Sequence, residues 1–311
     1  MKNLDYEKYQ LLFLEKLQKE GKSFNTIKNY KTDLNIFKQF LISKGRQLSL
    51  TEVTLQELQE FNLYLNNKYS SANSIRRRIQ ALRIFFDYLI SQAIFDENPI
   101  KKILVAPKVV NLPKPASFSL VKDLHQYLKH HIENSRGHEK LLALRNMMLF
   151  YLIYGAGLKV SDIERLNSFH ISQFKKTYRV LISPEKRDPF SVLLPDSFSD
   201  YYEQYQQVLD NAKNKDHIEF EHFLFNANPF KILSGGLSAR GIEIIFKEFS
   251  QLLKSQITAK NLRQACIFKW LCQKQTESQI KEWMGVQPQY SLAPYTTLIK
   301  EEPHKYSYLE L

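Results

Sequence analysis

The stretch Gly155-Ala156-Gly157-Leu158-Lys159-Val160-Ser161-Asp162-Ile163-Glu164-Arg165-Leu166 decides how this sequence is read. It follows helically spaced residues from Glu139 to Tyr154 and begins inside the longest mostly apolar run, Met147 to Leu158. That run is too short to span a bilayer, so an integral membrane protein is not expected. The N-terminus, Met1-Lys2-Asn3-Leu4-Asp5-Tyr6-Glu7, lacks the long apolar core of a secretory signal. Two cysteines, Cys266 and Cys272, make neither a disulfide scaffold nor a multi-cysteine zinc site and read as small core residues. An intracellular, cytoplasmic protein is expected.

Toward the C-terminus the texture is helical with one strand-rich interval. Tyr178 to Ile182 and Phe190 to Leu194 are β-prone around a turn-rich Ser183 to Pro189, a hairpin with Glu185, Lys186, Arg187 and Asp188 at its tip. Helical spacing resumes from about Ser197, then over Ser238 to Leu253, Thr258 to Lys274 and Glu277 to Met284. Toward the N-terminus, Ser119 to Ile132 is helical. Residues 106–117, with Pro107, Pro113 and Pro115 among lysines, read as an extended linker. The first 105 residues form four helices: Asp5 to Glu20, Thr26 to Ser43, one opened by Thr54 with Glu57 three residues on, and Asn73 to Gln92. The last carries Arg76, Arg77, Arg78 and Arg83, read as lying off its apolar stripe: a face for phosphates, or a solvated helix face.

The 311 residues suit two domains, and 43% hydrophobic with 24% charged residues is a globular balance. Lysine plus arginine is 44 against 32 acids, a net +12. That suits a polyanion, because neutralising phosphates releases condensed counterions, although charge alone also fits a plain basic protein. No Gly-rich phosphate loop, HExxH, GxSxG or EF-hand pattern occurs, and the eight histidines, His130 and His131 included, read as surface residues.

The opening stretch resembles box I of the tyrosine recombinases, the phage integrases and Xer-type enzymes. Thr258-Ala259-Lys260-Asn261-Leu262-Arg263-Gln264-Ala265 resembles box II, His-x-Leu-Arg-His-x-Phe, and Glu282-Trp283-Met284-Gly285-Val286 resembles the Leu-Gly-His segment. Tyr295 falls nine residues after Val286 and 32 after Arg263, where the family keeps its nucleophile. Leu233 to Gly241, with Arg240, is similar to the segment ahead of box II. Ser23-Phe24-Asn25-Thr26-Ile27-Lys28-Asn29-Tyr30 with Leu34 and Phe37, and Ile79 to Phe86 with Asn98-Pro99, resemble the core-binding domain. The resemblance covers nearly the whole chain in order. It implies a mainly α protein: a helical, SAM-like core-binding domain over 1–105, the linker 106–117, and an α-rich catalytic domain over 118–311 with a small β-hairpin or sheet.

The resemblance also implies roles. Tyr295 would attack a phosphodiester of double-stranded DNA, forming a 3′-phosphotyrosine that conserves the bond energy. Arg263 and the box I cation would stabilise the non-bridging oxygens. A hairpin lysine, Lys186 with Lys175 and Lys176 as the weaker options, would protonate the leaving oxygen, and the box II position would assist. No metal or cofactor is implied. Arg76, Arg77, Arg78, Arg83, Arg187 and Arg240 are the candidate DNA contacts. Three positions depart from the pattern: Lys159 for the box I arginine, which loses the bidentate fork, Lys260 for the box II histidine, and Val286 for the last histidine.

Two readings follow. One is a site-specific recombinase that clamps duplex DNA between its two domains and acts as a homo-tetramer on two sites, or with a partner recombinase, with a weakened or partner-dependent site. Its tail, Thr296 to Leu311, would then pack on a neighbouring subunit. The other is a DNA-binding protein of the same fold that has lost cleavage and acts as an architectural or regulatory factor. For Tyr295 itself, a packed tyrosine of a C-terminal helix is the bland alternative; Trp270 and Trp283 read as core. An all-helical interaction protein is a distant third.

Overall fold

The computed structural model describes residues 5–45, 50, 53–105, 107, 112–184, 188–228, 230–301 and 307–311. The chain divides into two compact units, Met1–Asn111 and Leu112–Leu311.

The first unit is built from α1 (Tyr6–Lys19), α2 (Phe24–Ser43), α3 (Leu55–Lys68) and α4 (Ala72–Ser91), followed by a 3-10 turn at Pro99–Lys102. Each helix starts on a short polar side chain that accepts an orphan backbone N–H: Asp5, Ser23, Thr54 and Ser71. Thr54 and Glu57 form the capping box that their spacing suggested. The core is aromatic: Phe13, Phe37, Phe61, Phe85 and Phe86 are fully buried, each contributing about 1.5–3 kcal/mol. Tyr6 joins them by donating its hydroxyl to the Leu34 carbonyl at 3.0 Å, so its own polar atom is satisfied. Asn98 fastens the unit's end: its amide donates to the Arg83 carbonyl and the Asp87 carboxylate, and its oxygen accepts from Ile100 N.

The arginines of α4 do not share one face. Arg78 is three residues after Ile75 and four before Leu82, which places it on the buried stripe, not off it as the sequence reading had it. Its guanidinium donates to the Ser74 carbonyl at 2.8 Å, stacks 3.8 Å over Tyr69 and lies 3.9 Å from the buried Asp33. Arg83, likewise three or four residues from Ile79 and Phe86, is half-buried. Arg77 pairs with Asp33 at 3.0 Å and keeps part of its side chain in solvent, while Arg76 is exposed.

The second unit begins with α5 (Phe118–Asn134) and α6 (Gly137–Phe150), which runs into a π-helical turn, Tyr151–Gly155. After α7 (Val160–Ile163) comes a three-stranded antiparallel sheet of β1 (Ile171–Phe174), β2 (Thr177–Ile182) and β3 (Phe190–Leu193). The expected hairpin is β2–β3, with Ile182 opposite Phe190. Then follow α8 (Phe198–Asp216), the small ribbon β4 (Phe225–Ala227) and β5 (Leu233–Gly235), α9 (Ala239–Leu252), α10 (Ala259–Cys272), α11 (Glu277–Trp283) and α12 (Ala293–Glu301). The π-helical turn and α10 sit in the centre of the core, with Tyr151, Leu152, Ile153, Cys266 and Ile267 fully buried. Among the described residues no helix is long and apolar enough to cross a membrane.

Part of the segment read as linker belongs to this second unit. Lys114 N donates to Gln264 Oε1 at 3.0 Å, Ala116 N donates to the Asn261 carbonyl at 3.0 Å, and Ser117 caps α5. At the other end, Tyr154 OH donates to the Leu309 carbonyl and accepts from Leu309 N, at 2.9 and 2.8 Å. In the single chain Leu309 thus ties the last residues to their own unit.

Candidate active site

Arg263 stands in the second turn of α10, whose start is fixed by a reciprocal cap between Thr258 and Asn261. Its Nε donates to the Gly157 carbonyl at 2.6 Å and its Nη2 to the Met284 carbonyl at 3.1 Å. Burial lowers its pKa below the usual arginine value. Nη1 makes no hydrogen bond among the described residues, so its N–H groups are donors left for a ligand. Lys159 follows the same glycine turn, and its ammonium donates to the Gly285 carbonyl at 3.2 Å. Arg263 and Lys159 are therefore drawn to consecutive carbonyls of the turn after α11.

The approach depends on glycine. Gly157 holds φ +65°, and a Cβ there would lie 2.5 Å from Trp270 Cη2. The π-helical turn that delivers this glycine leaves the Tyr154 and Gly155 carbonyls without ordinary helical partners. Lys269, only 5% exposed, donates to both, at 3.0 and 3.4 Å, and burial pushes its ammonium pKa down. The sequence reading missed Lys269, because nothing in the residue order shows that a carbonyl pair awaits it.

Tyr295 lies on α12 with its ring 5.3 Å from Phe268 of α10, and is 6% exposed. Burial pushes its phenol up to about 12, and Tyr290 beside it adds to the rise; Arg263 and Gln264 act in the opposite direction. Val286 packs its side chain on the core and offers no hydrogen bond at the place of the family's histidine. Lys260 is exposed one turn before Arg263 and shares a cleft with Val160, Arg240 and Lys247. Arg240 also pairs with Glu243 at 2.7 Å in solvent.

Lys186 and Arg187 lie outside the described residues. The residues that follow them, Asp188, Pro189 and Phe190, line a cleft together with Gly285, Val286 and Gln287. Lys175 and Lys176 turn between β1 and β2, at the other end of β2, roughly 17 Å away for six residues of strand.

Four separate segments thus supply Lys159, Arg263, the Met284–Gly285 carbonyls and Tyr295 to one place. The phage integrase N-terminal SAM-like domain matches residues 11–93. A tyrosine recombinase XerC of Pediococcus pentosaceus is 24% identical over 286 residues, spanning 90% of this chain and 89% of that protein. A tyrosine recombinase XerD of Rhizobium meliloti is 32% identical over 168 residues, 53% of this chain and 52% of that protein. A XerH site-specific recombinase, solved as a post-cleavage complex on a palindromic difH substrate, shares the fold with a TM-score of 0.68 at 16% identity, covering 93% of this chain and 82% of that one. With the domain match in the first unit, the XerC alignment along nine tenths of the chain and the shared fold through both units, this chain is similar to the tyrosine recombinases over nearly its whole length.

Proposed function

We propose that the chain is a site-specific DNA recombinase that cuts and rejoins strands through Tyr295. The Tyr295 oxygen attacks phosphorus, the bond to the 5′-oxygen breaks, and a 3′-phosphotyrosyl bond forms while the phenol proton passes to solvent. The 5′-oxygen leaves as a hydroxyl, protonated by a lysine; Lys186 is the candidate, since Asp188 and Pro189, which follow it in the sequence, line a cleft with Gly285. Arg263, through Nη1, and the Lys159 ammonium meet the non-bridging oxygens, and Lys260 assists from the rim of the same helix. Attack by the 5′-hydroxyl of another strand reverses the step without an added energy source. DNA is held through Arg76 and Arg77, which border a groove with Thr26, Asn29, Asn73 and Gln80 in the first unit, and through Arg187 and Arg240 in the second. Arg78 is left out of this set. The active assembly is a homo-tetramer on two sites, or includes a partner recombinase.

The observation that carries this reading is the convergence of Arg263 and Lys159 on the Met284–Gly285 turn beside Tyr295. The rival, a DNA-binding protein without cleavage, is favoured by the apolar Val286 and by the backbone carbonyls that occupy the Lys159 ammonium and two Arg263 nitrogens. A nicked suicide duplex, carrying a site recovered by binding selection, separates them. A covalent adduct formed by the wild type and absent from Tyr295→Phe supports the recombinase; sequence-specific binding with no adduct supports the rival.

A further inference from the structure

Between α2 and α4 of the first unit runs a groove of about 410 Å³. Asn29 and Asp33 stand one turn apart on its α2 side, and Asn73, Arg77 and Gln80 follow at helical spacing on its α4 side. Asp33 lines the groove from below, only 1% exposed, with Oδ1 3.0 Å from Arg77 Nη2 and 3.9 Å from Arg78 Nε. Burial drives this carboxyl towards its neutral form, and the two guanidiniums oppose that. Neither contact has hydrogen-bond alignment, so the ion pair tethers Arg77 by charge and spends none of its N–H groups. Arg77 keeps 43% of its side chain in solvent, and Asn29 and Gln80 are exposed. Among the described residues none of these three side chains makes a hydrogen bond.

We propose that Arg77 is a specificity-determining residue for the DNA site, reading one guanine through its guanidinium fork, with Asp33 as its positioning residue. The proposal rests on the reading that this groove meets DNA, and it says what the groove reads there. Three features favour a base edge over a phosphate. A buried carboxylate 3.0 Å from the guanidinium repels a phosphate that approaches it, whereas a base edge carries no net charge. The groove's exposed donors and acceptors also match base edges: arginine takes guanine O6 and N7, and the carboxamides of Asn29 and Gln80 suit adenine N6 and N7. Finally, the tether confines the guanidinium before DNA arrives, so less side-chain entropy is lost on binding.

The test measures binding of the full chain to its selected duplex and to every single-base-pair variant of that duplex, at one salt concentration. In the wild type, replacing one guanine costs about 5- to 150-fold in affinity, and Arg77→Ala levels that position to within about twofold. Preferences at the other positions stay as in the wild type. Arg77→Gln shifts the preference at the same base pair from guanine to adenine. Asp33→Asn weakens discrimination at that base pair alone, while affinity for site-free duplex holds or rises, because a negative charge has gone. A second measurement needs no change at Asp33: in the free wild type, 15N relaxation of Arg77 Nε, assigned by its loss in Arg77→Ala, reports a restricted side chain. An Arg77→Ala loss shared evenly by all sequences marks a phosphate contact and overturns the proposal. Wild-type discrimination in Asp33→Asn, or an Arg77 Nε as mobile as a free arginine side chain, overturns the role of Asp33. If the wild type binds no duplex sequence-specifically, the reading beneath the proposal fails with it; specific binding with an unchanged Arg77→Ala profile sinks the proposal alone.

Discussion

Replacing Gly157 by alanine tests the turn on which the site is hung. The added methyl meets two difficulties. The backbone sits at φ +65°, where an L side chain costs about 1–2 kcal/mol. The new Cβ also falls 2.5 Å from Trp270 Cη2 and 3.0 Å from Cζ3, on a ring that is 5% exposed and packed against Trp283 at 5.1 Å. Trp270 cannot swing clear, so overpacking adds about 1–3 kcal/mol. The total is about 2–5 kcal/mol. Both tryptophans of the chain lie in the second unit, so fluorescence during urea unfolding reports that unit alone. With a slope of roughly 2 kcal/mol per molar urea, Gly157→Ala moves the midpoint down by about 1–2.5 M. Gly137→Ala is the control: it has φ +54° but nothing within 4 Å of its Cβ, so it carries only the backbone part, about 0.5–1 M. A Gly157→Ala shift no larger than that of Gly137→Ala, at unchanged slope, refutes the close approach of Trp270.

Acid sensitivity should follow His125, which stacks on Phe150 and is held neutral by burial, its pKa lowered to about 4. The unfolded chain takes up that proton first, near pH 6.5. The second unit therefore loses about 1–2 kcal/mol between pH 6.5 and 4, after allowance for partial solvent access, and His125→Phe removes this component from the urea midpoints. Arg76→Gln should weaken DNA binding by similar factors on all sequences and lower the slope of log affinity against log salt by about 0.9. Arg78→Gln should leave that slope alone and destabilise the first unit, read by thermal unfolding. Lys159→Arg, which regains a planar fork, should speed adduct formation by about tenfold or more; an unchanged rate contradicts the lysine's place as the weak point of the site.

The helices of both units were legible because apolar spacing and caps agree: Thr54 with Glu57, and Thr258 opening α10, each do in the structure what their side chains favour. The hairpin was legible from its β-prone residues. β1, β4 and β5 were not, because three or four residues carry too short an alternation to separate from loop. Arg78 was misplaced by counting charge ahead of register. Its position between Ile75 and Leu82 puts it on the buried stripe, where Asp33 and Tyr69 receive it. Arg263 and Tyr295 could be named from motif spacing. The carbonyls that hold Arg263 and Lys159, those of Gly157, Met284 and Gly285, could not, since backbone acceptors have no sequence signature. The nearness of Tyr290 to Tyr295 comes only from the fold.

The central claim is that Tyr295 becomes joined to DNA, and identifying the modified residue tests it most directly. Adduct formed on the suicide duplex is digested with nuclease and trypsin, and the 282–300 fragment, which holds both Tyr290 and Tyr295, is sequenced by mass spectrometry. The account predicts a nucleotide phosphate on Tyr295. Phosphate on Tyr290, or protein that binds its site with no modified tyrosine at all, contradicts it.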